Sequence, residues 1–227
     1  MSDRLNRCRM LFGDEKLQKL QTATVMVVGC GAVGSFAIEA LARSGIGNII
    51  LVDFDTVAES NINRQLFALE STIGHKKTEV ARARIHDINP NINSTIFDIF
   101  WDKGTAPAIR PDFVIDAIDT VESKIALYEW CEQNSIPFIS SMGAARKTDP
   151  TKIKIDKISK TFACPLAAII RRRIRDLPLH DFPVVFSTET PAGEVAAHKE
   201  FGSVITVTGT FGLNMANFAI WYLIIHK

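Results

Sequence analysis

The sequence lacks the features of several protein classes. Its four cysteines are far apart and form no Cys-x-x-Cys pair, which argues against a zinc knuckle or a dithiol motif. No apolar run reaches the roughly 18 residues of a membrane-spanning helix. The first residues are too polar for a secretory signal peptide, so we expect a cytoplasmic protein with free thiols and no stable membrane insertion.

Net charge is also nearly absent, because 26 Lys and Arg residues stand against 25 Asp and Glu residues. This balance excludes a globally cationic protein but not a local basic surface. Residues 141–180 hold ten basic and three acidic residues, a net charge of +7. Such a segment is either an ordinary solvated surface or a surface that faces a polyanion, and composition leaves both interpretations open.

The 227 residues, 47% of them hydrophobic, are typical of one large globular domain. Short β-branched runs bounded by turn residues predict buried strands, and apolar residues at helical spacing predict helices between them. We expect strands at 24–28, 49–53, 94–99, 113–117 and 137–141, and helices at 33–44, 76–89 and 123–134.

This alternation predicts an α/β fold: a Rossmann-like, doubly wound and mostly parallel sheet, followed by a C-terminal β-rich and helical extension. Residues 206–225 are largely apolar. We interpret them as a core helix that closes the sheet. A helix lying on a membrane is less favoured, because its polar face carries no basic residues.

A glycine-rich turn joins the first predicted strand to the first predicted helix. Gly29 permits the tight turn, Gly31 lets a phosphate approach the backbone, and Gly34 lets the helix pack on the strand. Asp53 ends the next strand, where a carboxylate can accept hydrogen bonds from a ribose. The pattern predicts a nucleotide site; a glycine turn kept for packing is the alternative. Since the motif does not identify the nucleotide, an NAD(P)-dependent dehydrogenase is the first hypothesis.

Several later residues argue against a dehydrogenase. Arg64 and Lys77 follow the second strand, and a triphosphate has more use for these cations than a nicotinamide has. Asp116 and Asp119 lie at the carboxyl end of the fourth strand, the edge where ligands bind in such sheets. A carboxylate that faces a triphosphate is a natural Mg²⁺ ligand.

The motifs Gly-Cys-Gly-Ala-Val-Gly (29–34), Asp-Phe-Asp-Thr-Val (53–57), Asn-Ile-Asn-Arg-Gln (61–65) and Gly-His-Lys-Lys (74–77), with Asp119, resemble the ubiquitin-activating-type superfamily that includes ThiF, MoeB and HesA. The resemblance implies adenylation of a carboxylate by ATP. It assigns catalysis to Arg64, Lys77 and Asp119, with Mg²⁺ on Asp119. It further implies a homodimer in which Arg7 reaches the ATP of the other subunit. The implied nucleotide-binding residues are Gly29, Gly31, Gly34, Asp53, Asp55, Asn61, Arg64, Gln65, Lys77 and Arg7.

Within that superfamily the chain is most similar to the tRNA threonylcarbamoyladenosine dehydratase group, on segments that include Ser-Met-Gly-Ala (141–144) and Val-Phe-Ser-Thr-Glu (185–189). Members activate the threonyl carboxylate of a modified adenosine in the tRNA anticodon loop, on which the carbamoyl group then closes with loss of water. The basic segment suits such a substrate. The resemblance implies that tRNA is bound by Arg146, Lys147, Arg171, Arg172, Arg173 and Arg175.

The resemblance also predicts two halves: residues 1–141 bind the nucleotide, and residues 142–227 face the tRNA and form the dimer. An activator of a ubiquitin-like sulfur-carrier protein remains the alternative, with sulfur-transfer proteins as partners. The missing Cys-x-x-Cys pairs and the basic segment count against it. A third hypothesis is that the chain is a non-catalytic subunit that binds tRNA.

Overall fold

The computed structural model describes residues 3–192 and 201–227. One seven-stranded sheet organises them. Its strands are β1 (Thr24–Val28), β2 (Asn48–Val52), β3 (Asn93–Phe97), β4 (Phe113–Asp116), β5 (Phe138–Ser141), β6 (Ile153–Lys157) and β7 (Pro183–Ser187). They are ordered β3-β2-β1-β4-β5-β7-β6. All neighbours pair in parallel except β6, which is antiparallel to β7.

Seven helices accompany the strands of this described part: α1 (Asn6–Phe12), α2 (Asp14–Thr22), α3 (Gly34–Ser44), α4 (Lys77–Ile88), α5 (Val121–Gln133), α6 (Pro165–Arg173) and α7 (Ile205–His226). The doubly wound, mostly parallel α/β fold is confirmed. The predicted strands and helices before residue 142 are all present, with bounds that differ by at most two residues. Helices α1 and α2 were not predicted, and β6 and β7 were predicted only as part of a β-rich extension.

Local chemistry explains the helix ends. Gly45 follows α3 with a φ of +94°, a left-handed conformation that glycine adopts without strain. Helix α4 ends at Ile88, two residues before Pro90, because the residue preceding a proline disfavours helical backbone. Both boundaries follow from residues visible in the sequence.

Helices cover both faces of the sheet. Helices α3 and α7 pack on one face with side chains such as Ile38, Leu41, Phe211 and Met215, all fully buried. Helices α5 and α6 cover the other face with residues such as Leu127 and Ile170. The apolar segment 206–225 is therefore a core helix, as predicted. Within the described residues, no helix is long and apolar enough to cross a membrane.

Glycines let α3 and α7 approach each other closely. A Cβ atom built on Gly212 would lie 2.2 Å from the carbonyl oxygen of Val33 and 2.9 Å from the amide nitrogen of Ala37. Both obstacles are backbone atoms, so a side-chain rotation cannot relieve the clash. The α3 helix begins at the glycine-rich turn, and this contact therefore helps to fix the turn.

We expect Gly212→Ala to lower the free energy of unfolding by about 1–3 kcal/mol, the usual cost of overpacking. Thermal or urea unfolding measures the loss. Gly202→Ala is the control, since a Cβ there meets nothing within 4 Å. Equal stability of Gly212→Ala and the wild type would contradict the packing argument.

Candidate nucleotide-binding site

A cavity of about 740 Å³ opens at the carboxyl ends of β1, β2, β4 and β5. The glycine-rich turn, the segment after β2 and the segment after β4 line one end, and residues 141–147 with the start of α6 line the other. Among the predicted nucleotide-site residues, those that line it are Gly29, Gly31, Asp53, Asp55, Arg64, Gln65, Lys77 and Asp119. The fold thus brings most of the predicted set together.

The three glycines of the turn have different structural roles. Gly29 has a φ of +95°, and a Cβ on it would lie 2.6 Å from the carbonyl oxygen of Ala117. A Cβ on Gly34 would lie 1.8 Å from the carbonyl oxygen of Gly29. Gly34 is buried in this contact and is not among the cavity-lining residues, so the expected contact between Gly34 and a nucleotide is corrected. Gly31 faces the cavity.

Asp53 ties the turn to the end of β2. Its Oδ2 accepts a 2.6 Å hydrogen bond from the amide of Cys30, and its Oδ1 accepts one of 2.8 Å from the amide of Asp55. Burial raises the pKa of Asp53, although both backbone hydrogen bonds and Lys77 act in the opposite direction. A carboxylate has about four acceptor positions, so ribose hydroxyls can still bind it.

Two cations reach the cavity from the segment after β2. Lys77, the first residue of α4, is only 6% exposed, and its Nζ lies 2.7 Å from Oδ2 of the half-exposed Asp55. Arg64 donates from Nη1 to the carbonyl oxygen of Ser60 at 2.7 Å and to Oδ1 of Asn63 at 2.8 Å. These contacts hold each cation at the cavity wall, where it can neutralise phosphate oxygens.

Asn61 and Arg7 do not line the cavity of the single chain. The Oδ1 of Asn61 accepts a 3.1 Å hydrogen bond from the amide of Ala58, so this side chain caps its own turn. This bond uses only the amide oxygen, and the contact of Asn61 with a phosphate stays a prediction. Arg7 is exposed on α1. Its contact with a second subunit stays a prediction.

The structure separates the two acids that follow β4. Asp116 is fully buried and paired with Lys124 at 2.8 Å. Asp119 is exposed at the cavity, and its carboxylate has no hydrogen-bond or ion-pair partner among the described residues. Those residues also contain no cluster of three or more His, Cys, Asp or Glu side chains suited to a metal. One free carboxylate fits Mg²⁺ only as an ion that arrives with phosphates, which supply its other ligands.

Aromatic side chains that were not predicted as site residues form one wall of the cavity. Phe54 and Phe100 line the cavity and meet edge to face with ring centroids 5.1 Å apart. Both rings are nearly half exposed. The signal for Phe54 was its place between Asp53 and Asp55, just beyond the strand end. Nothing local to Phe100 indicates that it returns to the same edge.

The basic segment is only partly available to a polyanion. Lys147 is 2% exposed, and its ammonium donates to the carbonyl oxygens of Ala163, at 3.1 Å, and Glu189. Burial also lowers the pKa of Lys147. The prediction that Lys147 contacts tRNA phosphates is therefore wrong. Its charge lies inside the protein and holds the segment after β5 against the segment after β7.

The arginines of this half of the chain also differ in how available they are to a polyanion. Arg171 donates from Nη1 to Thr161, with 2.9 Å to its carbonyl oxygen. Arg173 pairs with Glu122 at 3.0 Å. Arg172 and Arg175 are exposed, and Arg175 lies beyond the end of α6. Arg146 lines the cavity and donates from Nε to the carbonyl oxygen of Ala192 at 2.9 Å.

Comparison with known proteins agrees with this geometry. The profile of the ThiF family matches residues 5–226. A Bacillus subtilis protein named tRNA threonylcarbamoyladenosine dehydratase is 46% identical over 195 residues, which cover 84% of this chain and 77% of the relative. An Escherichia coli protein of the same name is 38% identical over 243 residues, covering 92% and 89%. The crystal structure of the E. coli enzyme TcdA in complex with ATP superimposes with a TM-score of 0.92 at 37% identity, covering 98% of this chain and 94% of that one.

Two glycine substitutions separate packing from ligand binding. We expect Gly34→Ala to lower the unfolding temperature, because the new Cβ would clash with the backbone of Gly29. Gly31→Ala should fold normally, because its Cβ would lie 3.7 Å from the nearest atom, Nε2 of Gln65. The same Cβ would fill the space where a phosphate approaches the turn, so nucleotide binding should weaken about tenfold or more.

Thermal unfolding and calorimetric titration with ATP measure the two effects. Unchanged ATP affinity in Gly31→Ala would mean that the turn does not face the ligand.

Proposed function

The chain belongs to the ThiF family, and on this basis we propose that it is an ATP-dependent tRNA threonylcarbamoyladenosine dehydratase. The main support for this proposal is the superposition on the ATP-bound E. coli enzyme. The cavity of this chain, lined by glycines, cations and carboxylates, is suited to the same kind of ligand. In the proposed reaction a threonyl carboxylate oxygen attacks the α-phosphorus of ATP. The bond to pyrophosphate breaks, and an acyl-adenylate forms.

The carbamoyl group of the same nucleoside then attacks the acyl carbon, and AMP leaves with the former carboxylate oxygen. The net change is loss of one water from the nucleoside, while ATP becomes AMP and pyrophosphate. Because the nucleophile is part of the substrate, proximity replaces an enzyme nucleophile. Cys164 therefore needs no catalytic role, and it is buried.

Charge neutralisation is the main task of the protein in this scheme. Arg64 and Lys77 would stabilise the negative charge that develops on pyrophosphate. Gly31 would face a phosphate, and Asp53 would accept hydrogen bonds from the ribose. Asp55 and Gln65 line the same space. Phosphate oxygens would then replace or share the carboxylate of Asp55 as the partner of Lys77.

We further propose that Asp119 holds a Mg²⁺ ion brought by ATP. The ion would supply additional positive charge to the phosphate oxygens when it is bound. The exposed carboxylate of Asp119, without a protein partner among the described residues, leaves it available for this role.

For tRNA, the proposed contacts are the exposed Arg172 and Arg175, with Arg146, Arg171 and Arg173 as further cations on the same half of the chain. Lys147 is excluded by its burial. These side chains would bind phosphates, and the exposed loop base would enter the cavity from their side. Residues 142–227 would thus face the tRNA, and residues 1–141 would bind the nucleotide.

A homodimer completes the proposal, with Arg7 acting on the nucleotide of the partner subunit. We place the protein in the cytoplasm, where tRNA is modified and where its four free cysteines stay reduced.

The central test incubates the purified protein with ATP, Mg²⁺ and native tRNA, followed by mass spectrometry of the nucleosides. We expect threonylcarbamoyladenosine to lose one water, with one AMP formed per conversion. Pyrophosphate exchange stimulated by a protein ending in Gly-Gly, and not by tRNA, would instead establish a sulfur-carrier activator.

Two substitutions test the assigned residues. Arg64→Ala and Asp119→Ala should each lower the rate of AMP formation about 10²-fold or more, the scale of one lost charge-stabilising group. Arg82→Ala and Asp87→Ala are matched controls, since both residues are exposed on α4 outside the cavity lining. Full turnover in both test variants would overturn the assignment.

Complementation tests the role of Arg7 in the dimer. Arg7→Ala and Asp119→Ala should each be nearly inactive alone. After the two are mixed and exchanged, one site of each mixed dimer is intact, so activity should recover to roughly a quarter of the wild-type rate. No recovery, with mixed dimers detected by native mass spectrometry, would show that Arg7 does not act across subunits.

A further inference from the structure

Beneath the cavity lies a buried ion pair that the proposed reaction does not use. Lys124 and Asp116 are both fully buried, with 2.8 Å between Nζ and Oδ2. The ammonium also donates to the carbonyl oxygen of Ser141 at 2.7 Å and to Oγ of Ser140 at 3.3 Å. All three protons of the ammonium therefore have acceptors.

A buried ion pair contributes little net free energy to folding, because the cost of removing both charges from water offsets most of their attraction. Packed apolar residues of similar volume would serve a core as well. Stability alone therefore does not account for a pair at this place, and its hydrogen bonds indicate another role.

The pair closes a ring around the segment that carries Asp119. Asp116 ends β4 and Lys124 lies in the first turn of α5, so residues 117–120 form the loop between them. The Oδ1 of Asp116 accepts a 3.1 Å hydrogen bond from the amide of Ile118. The amide of Ala117 donates to the carbonyl oxygen of Val28 at 2.8 Å. Since the carboxylate of Asp119 has no hydrogen-bond or ion-pair partner among the described residues, its position depends on this backbone.

The same ammonium reaches the other end of the cavity. Ser141 ends β5 and begins the stretch 141–147 that lines the substrate side. Ser140 links back by donating from Oγ to Oδ2 of Asp116 at 2.6 Å, and the hydroxyl of Tyr128 lies 2.6 Å from the same Oγ. One cation thus joins the loop of the nucleotide side to the strand end of the substrate side.

We propose that Lys124 is a positioning residue that, through Asp116 and the carbonyl of Ser141, sets the separation between the Asp119 loop and the substrate end of the cavity. It touches neither ligand. The inference deepens the proposed function, on which its Mg²⁺·ATP readout rests; its hydrogen-exchange readout is independent of that function.

Lys124→Met removes the ammonium and keeps most of the side-chain stem, but it leaves Asp116 buried without its partner and can prevent folding. The decisive variant is therefore the double substitution Lys124→Met with Asp116→Asn, which removes both charges and retains an acceptor for the amide of Ile118. Leu127→Ala is the matched control: it is a fully buried residue of the same helix, and its loss leaves a cavity without touching the ion pair.

In the double variant, the hydrogen-bonded amides of Ala117, Ile118 and Met142 should exchange about tenfold faster or more in the nucleotide-free protein. The Mg²⁺ concentration that half-saturates ATP binding should rise about tenfold, and kcat should fall more than KM for ATP rises, as misplacement of reacting groups predicts. Leu127→Ala should leave the Mg²⁺ dependence unchanged.

Wild-type exchange and Mg²⁺ dependence in the double variant would overturn the proposal, and so would equal shifts in Leu127→Ala. If the wild-type protein binds no ATP, the proposed function fails, while the exchange rates still decide whether Lys124 orders the two loops.

Discussion

The close approach of the glycine-rich turn to the end of β4 is the constraint on which the rest of the site depends. A single added carbon on Gly29 would lie 2.6 Å from the carbonyl oxygen of Ala117, and one on Gly34 would lie 1.8 Å from the carbonyl oxygen of Gly29. Only a turn without side chains at these positions lets α3 begin directly above β1. Asp53 then holds the turn through the amide of Cys30. A phosphate next to Gly31 would meet backbone N–H groups and the positive end of the helix dipole.

The charges around this cavity are the physical basis of the proposed preference for ATP. Lys77 and Arg64 approach from the segment after β2, and Asp119 approaches from the segment after β4. Two cations and a free carboxylate that can carry Mg²⁺ suit a chain of phosphates. Asp55 pairs with Lys77 at 2.7 Å, so the buried ammonium is positioned and its charge is compensated. A redox coenzyme would gain little from this arrangement.

The strands, helices and helix ends that local chemistry controls could be predicted from the sequence. The strand at 24–28 and the alternation of strands and helices follow from β-branched runs and from residues that end helices, such as Gly45 and Pro90. The structure confirms both. The convergence of most predicted site residues on one cavity was predictable because the ends of parallel strands meet at one edge. The predictions that failed concern side chains whose surroundings depend on packing between distant segments. The burial of Lys147 arises from carbonyl groups of Ala163 and Glu189, far along the chain. Likewise, the sequence pattern alone could not show that Asp116 is buried and paired with Lys124 while Asp119 is exposed at the cavity.

The central claim is that this cavity takes an adenine mononucleotide with three phosphates and not a nicotinamide dinucleotide. Calorimetric titration of the purified protein with ATP in the presence of Mg²⁺, and then with NAD, tests it most directly. The account predicts saturable binding of ATP that weakens in Arg64→Ala, and no competition by NAD at concentrations that exceed those of ATP. Displacement of ATP by NAD, or binding of NAD with no measurable binding of ATP, would contradict it.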